Sequence, residues 1–371
     1  MRYYLLILFI FFFLSAIAQE DAKSYFNKGL EHVSKKDFPA ALYWYDKAIQ
    51  VKPDFLAAYY NRGNILLHTG NISASLLDFE KCLQLDPQYH KAMLGLGNVY
   101  FSKQNYEKAI EIYNQFLLSN PHEEKANNNL GICLMKINRF EEAVFHLDKS
   151  IQLGSKNPQT FYNKGVCLLK KKDYNGAISC FTSAYIEDNQ YTKSILERAK
   201  CYAQLEKYNE SVQDLNMYIR SNPNDAEAYY VRGVNKLSIR DYNGAVSDLN
   251  ICLEIKSDHE SAIQNLAMAQ YWLRNYPQAI SLYSKLFIYT DQDASLFMQR
   301  GLCYLALDDY KNALRDFDKA ISLNNEFAEA YFNRSNVHKK LDMDKKACED
   351  LKSAIKYGYR EGLTYESILC D

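Results

Sequence analysis

Five arginines stand at multiples of one interval: Arg62, Arg198, Arg232, Arg300 and Arg334. Each is followed sixteen residues later by an aspartate: Asp78, Asp214, Asp248, Asp316 and Asp350. A guanidinium facing a carboxylate makes a planar two-bond ion pair, which is chemistry of structure rather than of reaction. Asparagines recur on the same interval, at Asn27, Asn61, Asn129, Asn163, Asn265 and Asn333. A primary amide carries both donors and an acceptor, so a row of them can satisfy the backbone of an extended peptide whatever its sequence. The residue types that perform catalysis do not converge. There is no phosphate-cradling GxxxxGK[ST], no HExxH and no GxSxG, and the seven histidines are scattered without metal-ligand spacing. The expectation is therefore no catalytic residue, no cofactor and no metal site. With 44 Lys and Arg against 45 Asp and Glu, the chain lacks the basic balance that phosphate backbones require, so nucleic acid is not expected as a partner.

The interval is 34 residues, and ten frames run without insertion: 22–55, 56–89, 90–123, 124–157, 158–191, 192–225, 226–259, 260–293, 294–327 and 328–361. Position 8 of each frame is small, from Gly29 and Gly63 to Gly301 and Ser335, and so is position 20. Position 24 is always large and apolar, as in Tyr45, Phe79, Tyr113 and Phe317. Small residues at fixed places let two helices approach, and the large ones fill the space beside them. Turn formers at positions 14–17 separate two helices, expected over roughly positions 1–14 and 18–31. The arginines occupy position 7 and the aspartates position 23. Both lie eight residues from a turn centred near position 15, hence at equal height on an antiparallel helix pair. Frames with Lys28, Leu96, Leu130, Lys164 or Leu266 at position 7 carry Trp44, Ile112, His146, Cys180 or Leu282 at position 23, never Asp. The co-occurrence predicts five partly buried, structural salt bridges.

This pattern resembles the tetratricopeptide repeat, which has an aromatic at position 4, Gly at 8, Ala at 20, an aromatic at 24, Ala at 27 and Pro at 32. Tyr25, Gly29, Ala41, Tyr45, Ala48 and Pro53 match in the first frame, and Pro87, Pro121 and Pro223 recur at position 32. The resemblance implies an all-α fold, a right-handed superhelical solenoid of helix-turn-helix repeats with the first helices lining a concave wall. Positions 2, 5, 9 and 12 share one face of that helix. Position 5 holds Phe26, Tyr60, Leu94, Tyr162, Tyr230, Met298 and Phe332, an apolar stripe that expects a partner. The asparagines of position 6 and Asn64 and Asn98 of position 9 complete the candidate partner-binding set. The carboxylate clamp of chaperone-binding members needs Lys at position 5 and Arg at position 6, and no frame has either; Asn61, Asn64, Lys91 and Asn98 are fragments of it. Lys125, Lys193 and Lys200 give the middle of the wall a mild basic tint.

Residues 1–18, MRYYLLILFIFFFLSAIA, read as a secretory signal peptide with a small-x-small cleavage pattern at Ala16-Ile17-Ala18. The apolar run falls short of the ~20 residues of a membrane span, so a membrane enters only if the segment stays uncleaved. The expected location is outside the cytoplasm: periplasm, cell surface, extracellular space or secretory lumen. Six of the nine cysteines share two frame positions, Cys133, Cys167, Cys201 and Cys303 at position 10 and Cys82 and Cys252 at position 27. They read as small core residues, and Cys370 as an accessible thiol suited to an intermolecular link. Residues 362–371 are expected to cap the last repeat. The function expected is a non-enzymatic module binding an extended or helical segment of a protein partner, with no small-molecule substrate. A scaffold docking folded partners in envelope or secretory assembly is the alternative, and an enzyme subunit with a site between repeats is the alternative of another class.

Overall fold

The computed structural model describes residues 20–290, 292–362 and 370. The signal-peptide reading of 1–18 and most of the capping tail, 363–369 and 371, lie outside the described residues. Twenty α-helices follow one another with no strand among the described residues. The chain divides into two compact units, one ending at Gln190 and one beginning at Tyr191, the last residue of the fifth frame. The first unit contains α1 (20–34), α2 (Phe38–Val51), α3 (Leu56–His68), α4 (Ile72–Leu85), α5 (His90–Ser102), α6 (Tyr106–Ser119), α7 (Glu124–Lys136), α8 (Phe140–Gln152), α9 (Pro158–Lys170) and α10 (Tyr174–Glu187). The second contains α11 (Lys193–Gln204), α12 (Tyr208–Ser221), α13 (Ala226–Ser238), α14 (Tyr242–Ile255), α15 (Glu260–Trp272), α16 (Tyr276–Leu286), α17 (Ala294–Ala306), α18 (Tyr310–Leu323), α19 (Ala328–Lys340) and α20 (Asp344–Lys356), then a 3-10 turn, Arg360–Gly362.

Local chemistry sets the hairpin. Position 15 takes a positive φ in every frame: Gly70 at 83°, and Lys36, Gln104, Asn138, Lys172, Glu206, Arg240, Arg274, Asp308 and Asp342 at 56–63°. The chain reverses there, at some cost wherever the residue has a Cβ. Position 16 then caps the second helix. Asp37, Asn71, Asn105, Asp173, Asp241 and Asp309 each accept a backbone N–H three residues on, one of the donors a helix start leaves unpaired.

Packing follows the small-large rule. A Cβ on Gly97 would stand 2.5 Å from the Tyr113 ring, and one on Gly301 2.7 Å from Phe317. The position-24 side chains Tyr45, Phe79, Tyr113, Phe181, Tyr283 and Phe317 are in turn fully buried. Each contributes on the order of 1.5–3 kcal/mol by leaving water. Within each unit the first helices of successive repeats touch one another, α3 with α5, α5 with α7 and α7 with α9 in one, and α11 with α13 and α13 with α15 in the other. The second helices approach each other less closely, so the first helices form the crowded inner side of each unit.

Candidate functional site

The five arginine–aspartate pairs are two-bond ion pairs. Nε and Nη2 of Arg62 donate to the two oxygens of Asp78 at 2.9 and 2.6 Å, and Arg198–Asp214, Arg232–Asp248, Arg300–Asp316 and Arg334–Asp350 repeat the geometry. The aspartates are at most 5% exposed. Burial raises the Asp78 carboxyl from its ordinary value even though Arg62 pulls it down, the mark of a pair whose desolvation is expensive. The hydrogen bonds it donates to Asp78 hold the Arg62 guanidinium in its charged form. A second role was not anticipated. Nη1 of Arg62, Arg232, Arg300 and Arg334 reaches back to position 25 of the preceding repeat, to Asp46, Asn216, Ser284 and Asp318 respectively, at 2.6–2.9 Å. One guanidinium thus ties its own hairpin together and staples it to the previous one. The signal was present, since position 25 is polar in all ten frames. Lys164 makes the same backward contact to Asp148 at 2.6 Å, without an aspartate at position 23. Lys236, at position 11, adds a second cation beside Asp248, and the His338 ring at the same frame position lies 3.0 Å from Asp350.

The apolar stripe at position 5 is less free than its sequence suggests. Met298 is 5% exposed and belongs to the core around Phe317, so it is not a surface contact. Phe26 lies against Tyr45 and Phe55, Tyr60 against Phe79 and Tyr89, Tyr162 against Phe181, Tyr230 against His259, and Phe332 against Tyr359. These rings and Leu94 are half-buried. Phe26, Tyr60, Tyr230 and Phe332 thereby meet the turn that follows their own hairpin, through Phe55, Tyr89, His259 and Tyr359. The asparagines divide. Asn61, Asn64, Asn265 and Asn333 each donate Nδ2 to the carbonyl one turn back in their own helices. Asn98 accepts from the Tyr113 hydroxyl and from Asn129, so both are spent on internal bonds. Asn163 is 4% exposed and accepts from Gln159; it is a core amide, not a peptide contact. The buried side chain fills space between helices where the pattern alone offered only a consensus polar position.

Cavities recur at one place in the repeat, where the turn at positions 31–34 meets the first turn of a first helix. One of about 290 Å³ is lined by Lys23, Phe26, Asn27, Lys52 and Phe55. One of about 550 Å³ includes Tyr60, Tyr89, Leu94 and Phe116. In the second unit one of about 780 Å³ includes Tyr218, Asp225, Glu227 and His259. Sequence reasoning missed the position-34 and position-27 members of this set, Tyr89, Phe116 and His259, because they belong to the turn and the second helix. Among the described residues no group of three His, Cys, Asp or Glu side chains is placed to hold a metal ion, and no helix is long and apolar enough to cross a membrane.

The cysteines need one correction. Cys370 is not an accessible thiol; it is bonded to Cys348, with Cα atoms 5.1 Å apart. Cys348 stands at position 21, an aliphatic place in the other nine frames, and the partner lies in the tail, beyond the reach of repeat arithmetic. The seven remaining cysteines are free and buried, and burial pushes the thiols of Cys82, Cys133, Cys167, Cys201 and Cys303 up to about 12.

Tetratricopeptide repeat family models match residues 56–89 and 294–327, 75–126 and 328–357, and a TPR repeat model matches 29–70. Residues 136–218 match the model for subunit 3 of the anaphase-promoting complex, or cyclosome. No curated protein matches the sequence. Similar solved structures include a tetratricopeptide repeat protein from Parabacteroides merdae, 19% identical over 67% of this chain and 99% of that one, TM-score 0.48. They also include pilF of Pseudomonas aeruginosa, 22% identical over 56% and 94%, TM-score 0.47, and yeast Tom70, 15% identical over 91% and 85%, TM-score 0.39. With repeat models matching in both units and twenty helices in tandem, the chain is a tetratricopeptide repeat protein.

Proposed function

We propose that this protein is a non-enzymatic interaction module that holds an extended or helical segment of a partner protein along the first-helix side of its repeats. Tetratricopeptide repeats build protein–protein interaction scaffolds in general. The observation that carries the finer reading is the recurrence of an open cavity at one repeat position, floored in the first unit by half-buried rings at positions 5 and 34 and in the second by Tyr218 and His259. Successive sites of this kind within a unit suit a ligand that is itself a regular backbone, with side chains dropping into the cavities. The amide oxygens of Asn61, Asn64, Asn265 and Asn333, whose Nδ2 groups are spent within their own helices, add acceptors for its N–H groups. We further propose that the protein works outside the cytoplasm. The leader-like sequence of 1–18 supports that reading, as does the Cys348–Cys370 disulfide, a bond that persists in oxidising compartments.

A second reading rests on the second helices, where Leu77, Leu118, Phe145 and Ile186 are 63–85% exposed. Positions 22 and 29 lie seven residues apart on one helix face, so these side chains offer a surface for a folded partner. Photo-crosslinking separates the two. A photoreactive phenylalanine analogue placed at Asn64 or Lys125 reports on the inner side, and one at Leu118 or Phe145 on the outer. Adducts with a partner from the inner positions alone support segment binding. Adducts from the outer positions alone overturn it in favour of folded-partner docking. Tyr60, Tyr162 and Tyr230 are unsuitable test sites, because each ring also packs its own repeat.

A further inference from the structure

The cavity of about 550 Å³ in the first unit has an apolar floor of Tyr60, Tyr89, Leu94 and Phe116 and a cationic rim. Lys91 and Lys125 stand on that rim, exposed, and neither has an ion-pair or hydrogen-bond partner among the described residues. His90 sits beside them with its ring edge-on to Phe116, and its Nδ1 is buried without a hydrogen-bond partner. Glu123 is the one acid among the lining residues. Glu124 next to it accepts from Ser150 at 2.8 Å.

The placement of the two lysines is not explained by the fold. Each is the second residue of its helix, α5 and α7. That end of a helix carries the positive pole, so a lysine there opposes the dipole. Tyr89 and Glu123 occupy the cap positions and make no side-chain cap bond; α5 has no acid in its first turn, whereas α7 opens on Glu123 and Glu124. Nor does the repeat demand a base at this position. In the second unit the equivalent residue is Glu227, beside the capping Asp225. Two unpaired ammonium groups therefore stand over one greasy floor beside the acid-free start of α5, and an anionic ligand relieves them.

We propose that this groove receives an extended partner segment whose bulky apolar side chain seats on Tyr60, Tyr89, Leu94 and Phe116 while adjacent Asp or Glu side chains meet Lys91, Lys125 and the amides opening α5. This rests on the segment-binding reading above and names its partner class, an apolar-acidic segment. The carboxylates carry selectivity and encounter rate, and the apolar side chain supplies most of the affinity.

The test is a random peptide display library panned against the full chain, with an enriched peptide then synthesised and measured by fluorescence anisotropy. Enriched sequences should pair aromatic or aliphatic residues with Asp and Glu, and their binding should weaken as ionic strength rises. Lys91→Glu combined with Lys125→Glu should weaken it by about tenfold or more. Both positions are exposed, and circular dichroism of the double variant checks that the fold is kept. Glu254→Lys, at an exposed position of α14 that lines none of these cavities, should leave the affinity unchanged. Enrichment of neutral or basic sequences, equal binding to the double variant, or an equal loss with Glu254→Lys overturns the groove assignment while leaving segment binding standing. A library that yields no binder at all overturns both.

Discussion

Asp316→Ala tests the physical account of the repeat most directly. Asp316 is 1% exposed and takes two bonds from Arg300, at 2.7 and 2.8 Å. Arg300 itself is enclosed, with the rings of Phe287, Phe297 and Tyr304 at 4.5–5.8 Å and a further bond to Ser284 at 2.9 Å. Removing the carboxylate leaves a guanidinium with nowhere to hydrate. A buried charge stripped of its partner costs about 3–5 kcal/mol. In a unit of this size, at about 2–4 °C per kcal/mol, the melting point should fall by roughly 6–20 °C. Because repeat arrays do not always unfold as one, hydrogen exchange should accompany the melt, and α16–α19 should lose protection first. The double variant Arg300→Met, Asp316→Leu should recover most of the loss, since replacing both partners removes the desolvation along with the attraction. Glu111→Ala, which breaks the exposed Lys108–Glu111 pair, should leave the melt unchanged. If Asp316→Ala melts with the wild type, or if the double variant is no better than the single, the buried pair is not what holds these hairpins together.

Other outcomes follow from the same geometry. Gly97→Ala should cost about 1–3 kcal/mol in chemical denaturation, because its Cβ meets the Tyr113 ring, and a smaller side chain at 113 should recover part of the loss. Lys172→Gly should stabilise by up to about 1 kcal/mol, because Lys172 holds a φ of 62° that glycine takes without strain. A thiol reagent at pH 8 should label none of the seven free cysteines in the folded protein and all seven in denaturant, since burial holds five of the thiols near 12 and keeps all seven from the reagent. Two more should appear after reduction, and reduction should loosen α20 in hydrogen exchange while sparing α3 and α4.

Much of this was legible in the chain because a repeat supplies its own comparison. The small residue at position 8, the large one at 24 and the joint occurrence of Arg62 with Asp78 or Arg300 with Asp316 are local in origin. Both partners of each contact lie within one hairpin, so spacing alone specifies the meeting. The fate of individual surface candidates was not legible. Met298 and Tyr60 occupy the same frame position, yet one is core and the other half-open, because exposure there depends on what the neighbouring turn contributes. Asn163 and Asn61 differ for the same reason.

The sequence by itself determined the helices, their turns, the caps at position 16 and the ion pairs inside the hairpins, since both partners of each contact lie within one hairpin and spacing along it specifies their meeting. Tertiary structure alone decided the backward reach of the arginines to Asp46, Asn216, Ser284 and Asp318, the closure of Cys348 onto Cys370, and the gathering of Tyr60, Tyr89, Leu94 and Phe116 under two unpaired lysines. These arise where one repeat meets the next, or where the last one meets the tail. How successive hairpins are set against each other is fixed by packing, and no single repeat encodes it.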